Sequence, residues 1–200
     1  MAGTAVDEMP AVRATPLNEL RQTIAQLPRP QMARLKIISL GSTETGKSCL
    51  IKRYCEERFI PKYIQTIGVD YGVKRVTVEG RDVRVSFWDL GGSGEYFEIR
   101  NEFYKDAQGA LLVFDVTNTR SYAQLEMWLA ESAKFGAKDM VIAVCANKVD
   151  LAAKRVVSES EAKKWASSKG LMYFETSASS GQNVATMFES LFRDTAMLRL

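Results

Sequence analysis

Most of what this chain of 200 residues lacks bears on how a protein is cross-linked, exported or anchored. Its three cysteines, Cys49, Cys55 and Cys145, are odd in number, lie in apolar segments and form no CxxC pair, which excludes a disulfide framework and fits a reduced, cytosolic-type chain. There is no charged start followed by an apolar h-region, and no apolar stretch nears the roughly 18 residues that span a bilayer. Glycine stands at position 3 rather than directly after Met1, and the chain ends "AMLRL" without a cysteine, so N-myristoylation and prenylation both lack their substrate atoms. The expectation is a cytoplasmic protein with no direct lipid anchor, brought to membranes or other structures only by partners. An excess of one charge sign is missing too. The 27 basic and 24 acidic residues leave +3, scattered through the chain rather than gathered into a block, so no nucleic-acid partner is expected.

What is present is ordinary for one soluble domain: 46% hydrophobic and 26% charged residues. Proline is unevenly spent. Four of the five fall in residues 1–34, which also hold few aromatics and no strand-like run, so this segment reads as an N-terminal extension to a domain over 35–200. Within it, "TPLNELRQTIAQLP" offers Thr15 as an N-cap, Pro16 at the first helical position, and Leu17, Leu20, Ile24 and Leu27 at helical spacing. A short amphipathic helix is expected there, packed on the domain or docking a partner.

From Leu35 onward strand-like and helix-like segments alternate, which predicts a mainly parallel sheet covered by helices. The strand candidates are "LKIISL", "VDYGVKRVTV", "VRVSFW", "ALLVFDV", "MVIAVCAN" and "LMYFET". Only "EGRD" separates the second from the third, too little for a crossover, so these two form a hairpin and one antiparallel edge. Val184, Met187, Phe188, Leu191 and Phe192 repeat at helical spacing and predict a final helix with a core-facing stripe.

Directly after the first strand, "GSTETGKS" at Gly41 to Ser48 fits GxxxxGK[ST] and opens a helical pattern. Its glycines let the backbone curl so that successive N–H groups from Ser42, Thr43, Glu44, Thr45, Gly46, Lys47, Ser48 and Cys49 face an anion, at the positive end of a helix. Lys47 would neutralise outer phosphates, and the Ser48 hydroxyl would hold magnesium. Such a loop leaves the base and the reaction open. After the fifth strand, "CANKVD" offers Asp150 to accept from the paired donors of guanine, Asn147 to brace the loop and Lys148 to cover the base plane. After the sixth, Ser177 and Ala178 of "ETSA" would offer backbone N–H groups to the guanine oxygen.

With these motifs in order, the chain resembles a small GTPase of the Ras superfamily, most closely the Rab branch, from Leu35 to about Leu198. "TIGVDY", "WDLGG" and "NEFYKDAQGALLVFDVT" resemble Rab segments; "IKRYCEERF", "RNEFYKD", "VVSESEAKKWASSKG" and "YFETSA" are similar to RBJ-type Rab-like proteins, whose longer members carry a J domain. The resemblance implies the P-loop NTPase small-GTPase α/β fold: a six-stranded, mostly parallel sheet with one antiparallel edge strand and helices on both faces. It implies GTP, GDP and magnesium as ligands. Thr66 matches the switch I threonine on magnesium and the γ-phosphate, Asp89 the acid that holds magnesium through water, and Gly92 the switch II glycine whose N–H meets the γ-phosphate. Phe59 matches the aromatic against guanine, a position that a core phenylalanine at a helix end would share. Implied partners are effectors on switch I, the interswitch and switch II, with an exchange factor and an activating protein, around a monomer.

Lys47, Gly92 and the residue after it make up the implied catalytic set, and there the pattern departs. Ser93 stands where hydrolysing members place a Gln that orients water, and its hydroxyl is too short for that task, so slow hydrolysis is expected. Thr43 and Glu44 are milder departures that remove no binding group. Two other readings stay open: a pseudo-GTPase scaffold that binds nucleotide without cycling, and an ATP-using P-loop kinase, against which "NKVD" speaks.

Overall fold

Six strands assemble in the order β2-β3-β1-β4-β5-β6. They are β1 (Ala33–Leu40), β2 (Val69–Val78), β3 (Arg81–Leu90), β4 (Gly109–Asp115), β5 (Val141–Asn147) and β6 (Met172–Thr176). The computed structural model describes residues 32–137 and 139–199. The helix expected between Thr15 and Leu27, and nearly all of the 1–34 extension, lie outside those residues. β1 starts at Ala33, two positions ahead of the expected boundary.

β1 pairs in parallel with β3 and β4, β5 in parallel with β4 and β6, and only β2 runs antiparallel, against β3. The expected sheet is therefore the observed one. Its hairpin is tighter than "EGRD" suggested: the ladder continues to Val78 opposite Arg81, leaving only Glu79 and Gly80 in the turn. Both have positive φ, 48° and 74°, the geometry that matches a two-residue connection to the twist of its strands.

The helices are α1 (Lys47–Glu56), α2 (Phe97–Asn101), α3 (Thr119–Ala123), α4 (Leu125–Lys134), α5 (Glu159–Ser168) and α6 (Val184–Arg199). β4 is buried at every position, as a central strand covered on both faces must be. Leu111 and Val113 on one of its faces pack in a core with Leu50 of α1 and Met187, Phe188, Leu191 and Phe192 of α6, so the helical stripe read from sequence is core. Leu112 and Phe114 on the other join Leu125 and Trp128 of α4 and Ala162 and Ala166 of α5. Alternate residues of one strand thus serve two cores. The carboxyl ends of β1, β3, β5 and β6 consequently emerge on one side, where α/β sheets place their sites.

Candidate functional site

The turn from β1 into α1 wraps its backbone around Lys47. Its ammonium donates to the Gly41 carbonyl at 2.8 Å and the Ser42 carbonyl at 3.0 Å, and burial lowers its pKa to about 8, opposed by Asp89 and reinforced by Arg100. Gly46 has φ 94°, and a Cβ there would sit 2.3 Å from the Asn147 amide nitrogen, so the position takes only glycine. Asn147 donates to the Thr45 carbonyl at 2.8 Å and accepts from Thr176 and the Ala178 N–H at 3.3 Å each. One buried amide therefore binds the β1–α1 loop to the ends of β5 and β6.

Beside this turn lies a cavity of about 430 Å³. Of the residues singled out in the sequence, Thr43, Glu44, Gly46, Lys47, Ser48 and Cys49 line it from the loop, Phe59 and Thr66 from the segment before β2, Gly92 from the segment after β3, and Asn147, Lys148, Asp150 and Ala178 from the far end. Phe59 is not a helix-end core residue: α1 stops at Glu56, and Phe59 is 36% exposed in the following loop. Burial raises the Cys49 thiol pKa. At the far end Asp150 accepts from the Ser177 hydroxyl at 2.6 Å, while the Lys148 ammonium is held by Asp115 at 2.7 Å. Lys148 thus has its charge anchored to one side, leaving its stem at the cavity.

Ser42, Thr45, Asp89, Ser93 and Ser177 are not on that lining. Asp89 lies just beneath it, accepting from Ser39 at 2.6 Å and from Ser48 at 2.5 Å, with Thr66 Oγ1 3.2 Å away; Ser48 and Thr66 are themselves 3.0 Å apart. Among the described residues no three His, Cys, Asp or Glu side chains gather to hold a metal. The group that could is this mixed one, two hydroxyls and a carboxylate, hard oxygens of the kind that suit magnesium. Ser39, the second partner of Asp89, has no motif signal in the sequence.

The segments around Thr66 and Gly92 are joined directly. Gly91 N–H donates to the Gly68 carbonyl at 2.8 Å, and Gln65 donates to Glu95 at 3.0 Å. A Cβ on Gly92 would come within 2.6 Å of Thr43 N and the Ser42 carbonyl carbon. Glycine is thus required there by the close approach of two backbones alone.

Ser93 and Ser42 border a second cavity of about 530 Å³, between the β1–α1 loop, α3 and α4. Ser42 donates to Gln124 at 2.6 Å and accepts from Trp128 at 3.4 Å. The Ser93 carbonyl accepts from Arg100 at 2.6 Å, and the other guanidinium nitrogens of Arg100 pair with Glu131 at 2.6 and 2.8 Å. None of these ties could be read from motifs, because each joins residues that no local pattern relates.

A family model described as the Ras family matches residues 36–197, and the chain belongs to that family. It is 51% identical over 164 residues to "DnaJ homolog subfamily C member 27" of Danio rerio, covering 80% of this chain and 60% of that protein. Identity is 48% over 167 residues to the Xenopus laevis "DnaJ homolog subfamily C member 27-B" and 49% over 164 to the Bos taurus protein, with the same coverage. The Rab-like, RBJ-type resemblance read from the motifs agrees with these relatives. The chain spans about 60% of their length.

Proposed function

We propose that this chain is a guanine-nucleotide switch of Rab-like type, which binds GTP or GDP with magnesium and hydrolyses GTP slowly. The observation that carries the reading is the meeting of Thr66 with Ser48 and Asp89, because it couples the segment before β2 to the phosphate loop and to β3 through one small polar centre. Ser48, Thr66 and Asp89 would hold magnesium, which when bound neutralises phosphate charge. Lys47 and the loop N–H groups would bind the phosphates, and Asp150 would accept from guanine. Loss of the γ-phosphate would remove the contacts that keep Thr66 and Gly92 in place, releasing both segments.

Those segments carry exposed apolar side chains. Ile64 and Ile67 flank Thr66, Ile99 follows Gly92 and approaches Gly68, and exposed Tyr71 packs on Trp88, so apolar surface recurs along the segments that would respond to nucleotide. This is where a protein effector would bind the GTP state, with an exchange factor and an activating protein acting on the same segments. The protein would work in the cytoplasm as a monomer and reach other structures through these partners. A scaffold reading, in which nucleotide is bound without cycling, is favoured by Ser93 alone.

The test is nucleotide affinity of the purified chain, with Asp150→Asn beside it. Micromolar or tighter binding of GTP and GDP is expected. Asp150→Asn should lower GTP affinity by about a hundredfold or more, from two hydrogen bonds to a charged acceptor, and leave ATP unaffected. Absence of guanine-nucleotide binding would end the proposal. Ser93→Gln should raise the single-turnover hydrolysis rate by on the order of tenfold to a hundredfold, through better placement of water. An unchanged rate would move the defect to Thr43, Glu44 or the loop geometry.

A further inference from the structure

Arg34, Arg75 and Arg84 are far apart in the sequence and side by side in the sheet. Arg34 of β1 is in register with Arg84 of β3, and Arg84 with Arg75 of β2. Paired residues of neighbouring strands point to the same face, and at about 4.8 Å per strand the three Cα atoms span roughly 10 Å. All three are exposed, and none has an ion pair among the described residues. Like charges set directly across from one another weaken a sheet, so this row detracts from stability.

The surroundings narrow what the row could be for. On one side lie Lys36, Ser86 and Val73, and then Ile38, Trp88 and Tyr71, each trio in register on the same face. Tyr71 packs on Trp88 with ring centres 4.5 Å apart, and the Lys36 ammonium, 5.7 Å from the Trp88 ring, is held by the Lys105 carbonyl with Asp106 nearby. On the other side the face ends in Thr77 and Asp82, whose carboxylate accepts from the threonine at 3.3 Å. The arginine row is therefore a narrow positive strip, closed by an acid at one end and leading to half-buried Trp88 and exposed Tyr71 at the other.

We propose that this strip docks an acidic segment of a protein partner, placing two or three carboxylates on Arg34, Arg84 and Arg75 while an apolar side chain of the same segment rests on Trp88 and Tyr71. The proposal rests on the switch reading for the aromatic end and adds the partner's chemistry. Arginine presents a planar fork that matches a carboxylate with two parallel hydrogen bonds. Trp88 lies four residues along β3 from Arg84, about 13 Å, a distance that one helical or extended segment bridges. An anionic membrane calls for about four to eight basic residues, and a nucleic acid for a continuous basic stripe. Asp82 would repel either extended anion, whereas a short acidic segment can stop before it.

The experiment titrates the full chain, in nucleotide-free, GDP-loaded and GTP-analogue-loaded forms, with a short peptide carrying three glutamates beside a leucine and a phenylalanine. Its lysine counterpart, phosphatidylserine vesicles and a single-stranded oligonucleotide are parallel probes, and the readout is the arginine Nε–Hε resonances. The acidic peptide is expected to shift Arg34, Arg75 and Arg84 together and saturably, with the lysine peptide silent. Arg34→Gln combined with Arg84→Gln should weaken binding by about tenfold or more, with nucleotide affinity unchanged and the melting temperature equal or higher. No shift with the acidic peptide, an equal arginine dependence for vesicles or oligonucleotide, or a clearly lower melting temperature of the double variant would each overturn the proposal. Failure to bind nucleotide would instead strike the switch reading, and a peptide response in the nucleotide-free chain would leave the acidic-segment assignment standing.

Discussion

Arg100, Glu131 and Tyr104 form a cluster beside the loop that carries Gly92 and Ser93; Arg155, Glu175 and Tyr173 form a chemically identical cluster beside the loops that carry Asp150 and Ser177. In each, the arginine pairs with the glutamate and the tyrosine hydroxyl donates to the same carboxylate. Each also bridges two segments of the site. Arg100 reaches from α2 to the Gly91 and Ser93 carbonyls while holding Glu131 of α4; Arg155 follows the turn with Asp150 and holds Glu175, two positions before Ser177. What differs is water. The side chains of the first pair are 4% and 8% exposed, those of the second 24% and 16%. Identical partners should therefore have unequal worth, because burial sets how much an abandoned charge costs.

The largest expected effect comes from breaking the first cluster on one side. Arg100→Met leaves Glu131 charged and buried with only Tyr104 as partner, and should lower the unfolding free energy by about 3–5 kcal/mol in urea titration. Burial, and then the carboxylate it donates to, push the Tyr104 phenol above its ordinary pKa range, so it stays a neutral hydrogen-bond donor and brings no positive charge to offset Glu131. Arg100→Met with Glu131→Leu should recover most of the loss, since no buried charge is then left alone. If the double variant is as unstable as the single one, packing of the guanidinium over Trp128, 4.6 Å from its ring, outweighs the charge pairing.

The two clusters also mark where the sequence stopped being informative. The sheet, the glycine turn between β1 and α1, and the places of "NKVD" and "ETSA" at the ends of β5 and β6 were legible because each is written in adjacent positions: a glycine turn, a strand end, an alternation of apolar residues. Asp89 and Thr66 could be assigned only by resemblance, and their meeting with Ser48 depends on how two loops fold back over α1. The clusters had no local signature at all. Glu131 is 31 positions from Arg100 and Glu175 is 20 from Arg155, and only the packing of α4 and the pairing of β5 with β6 bring them together. The same holds for the arginine row. Its members look like scattered surface charge until the register of β1, β3 and β2 is known.

Arg155→Met tests the other half of the comparison and should do much less. Its guanidinium and Glu175 keep partial access to water, so a carboxylate that loses its partner can be rehydrated in part, and the expected loss is about 1 kcal/mol. Salt should shrink that difference further, whereas the effect of Arg100→Met should persist in high salt because ions do not reach the buried pair. Urea titrations of both variants at low and high salt give the comparison directly. A loss for Arg155→Met as large and as salt-resistant as that for Arg100→Met would mean that the ordering of the Asp150 and Ser177 loops, and not exposure, governs what this cluster is worth. The two ends of the site would then be held equally tightly, and the freedom that the proposed switch requires would have to lie in the segment around Thr66 alone.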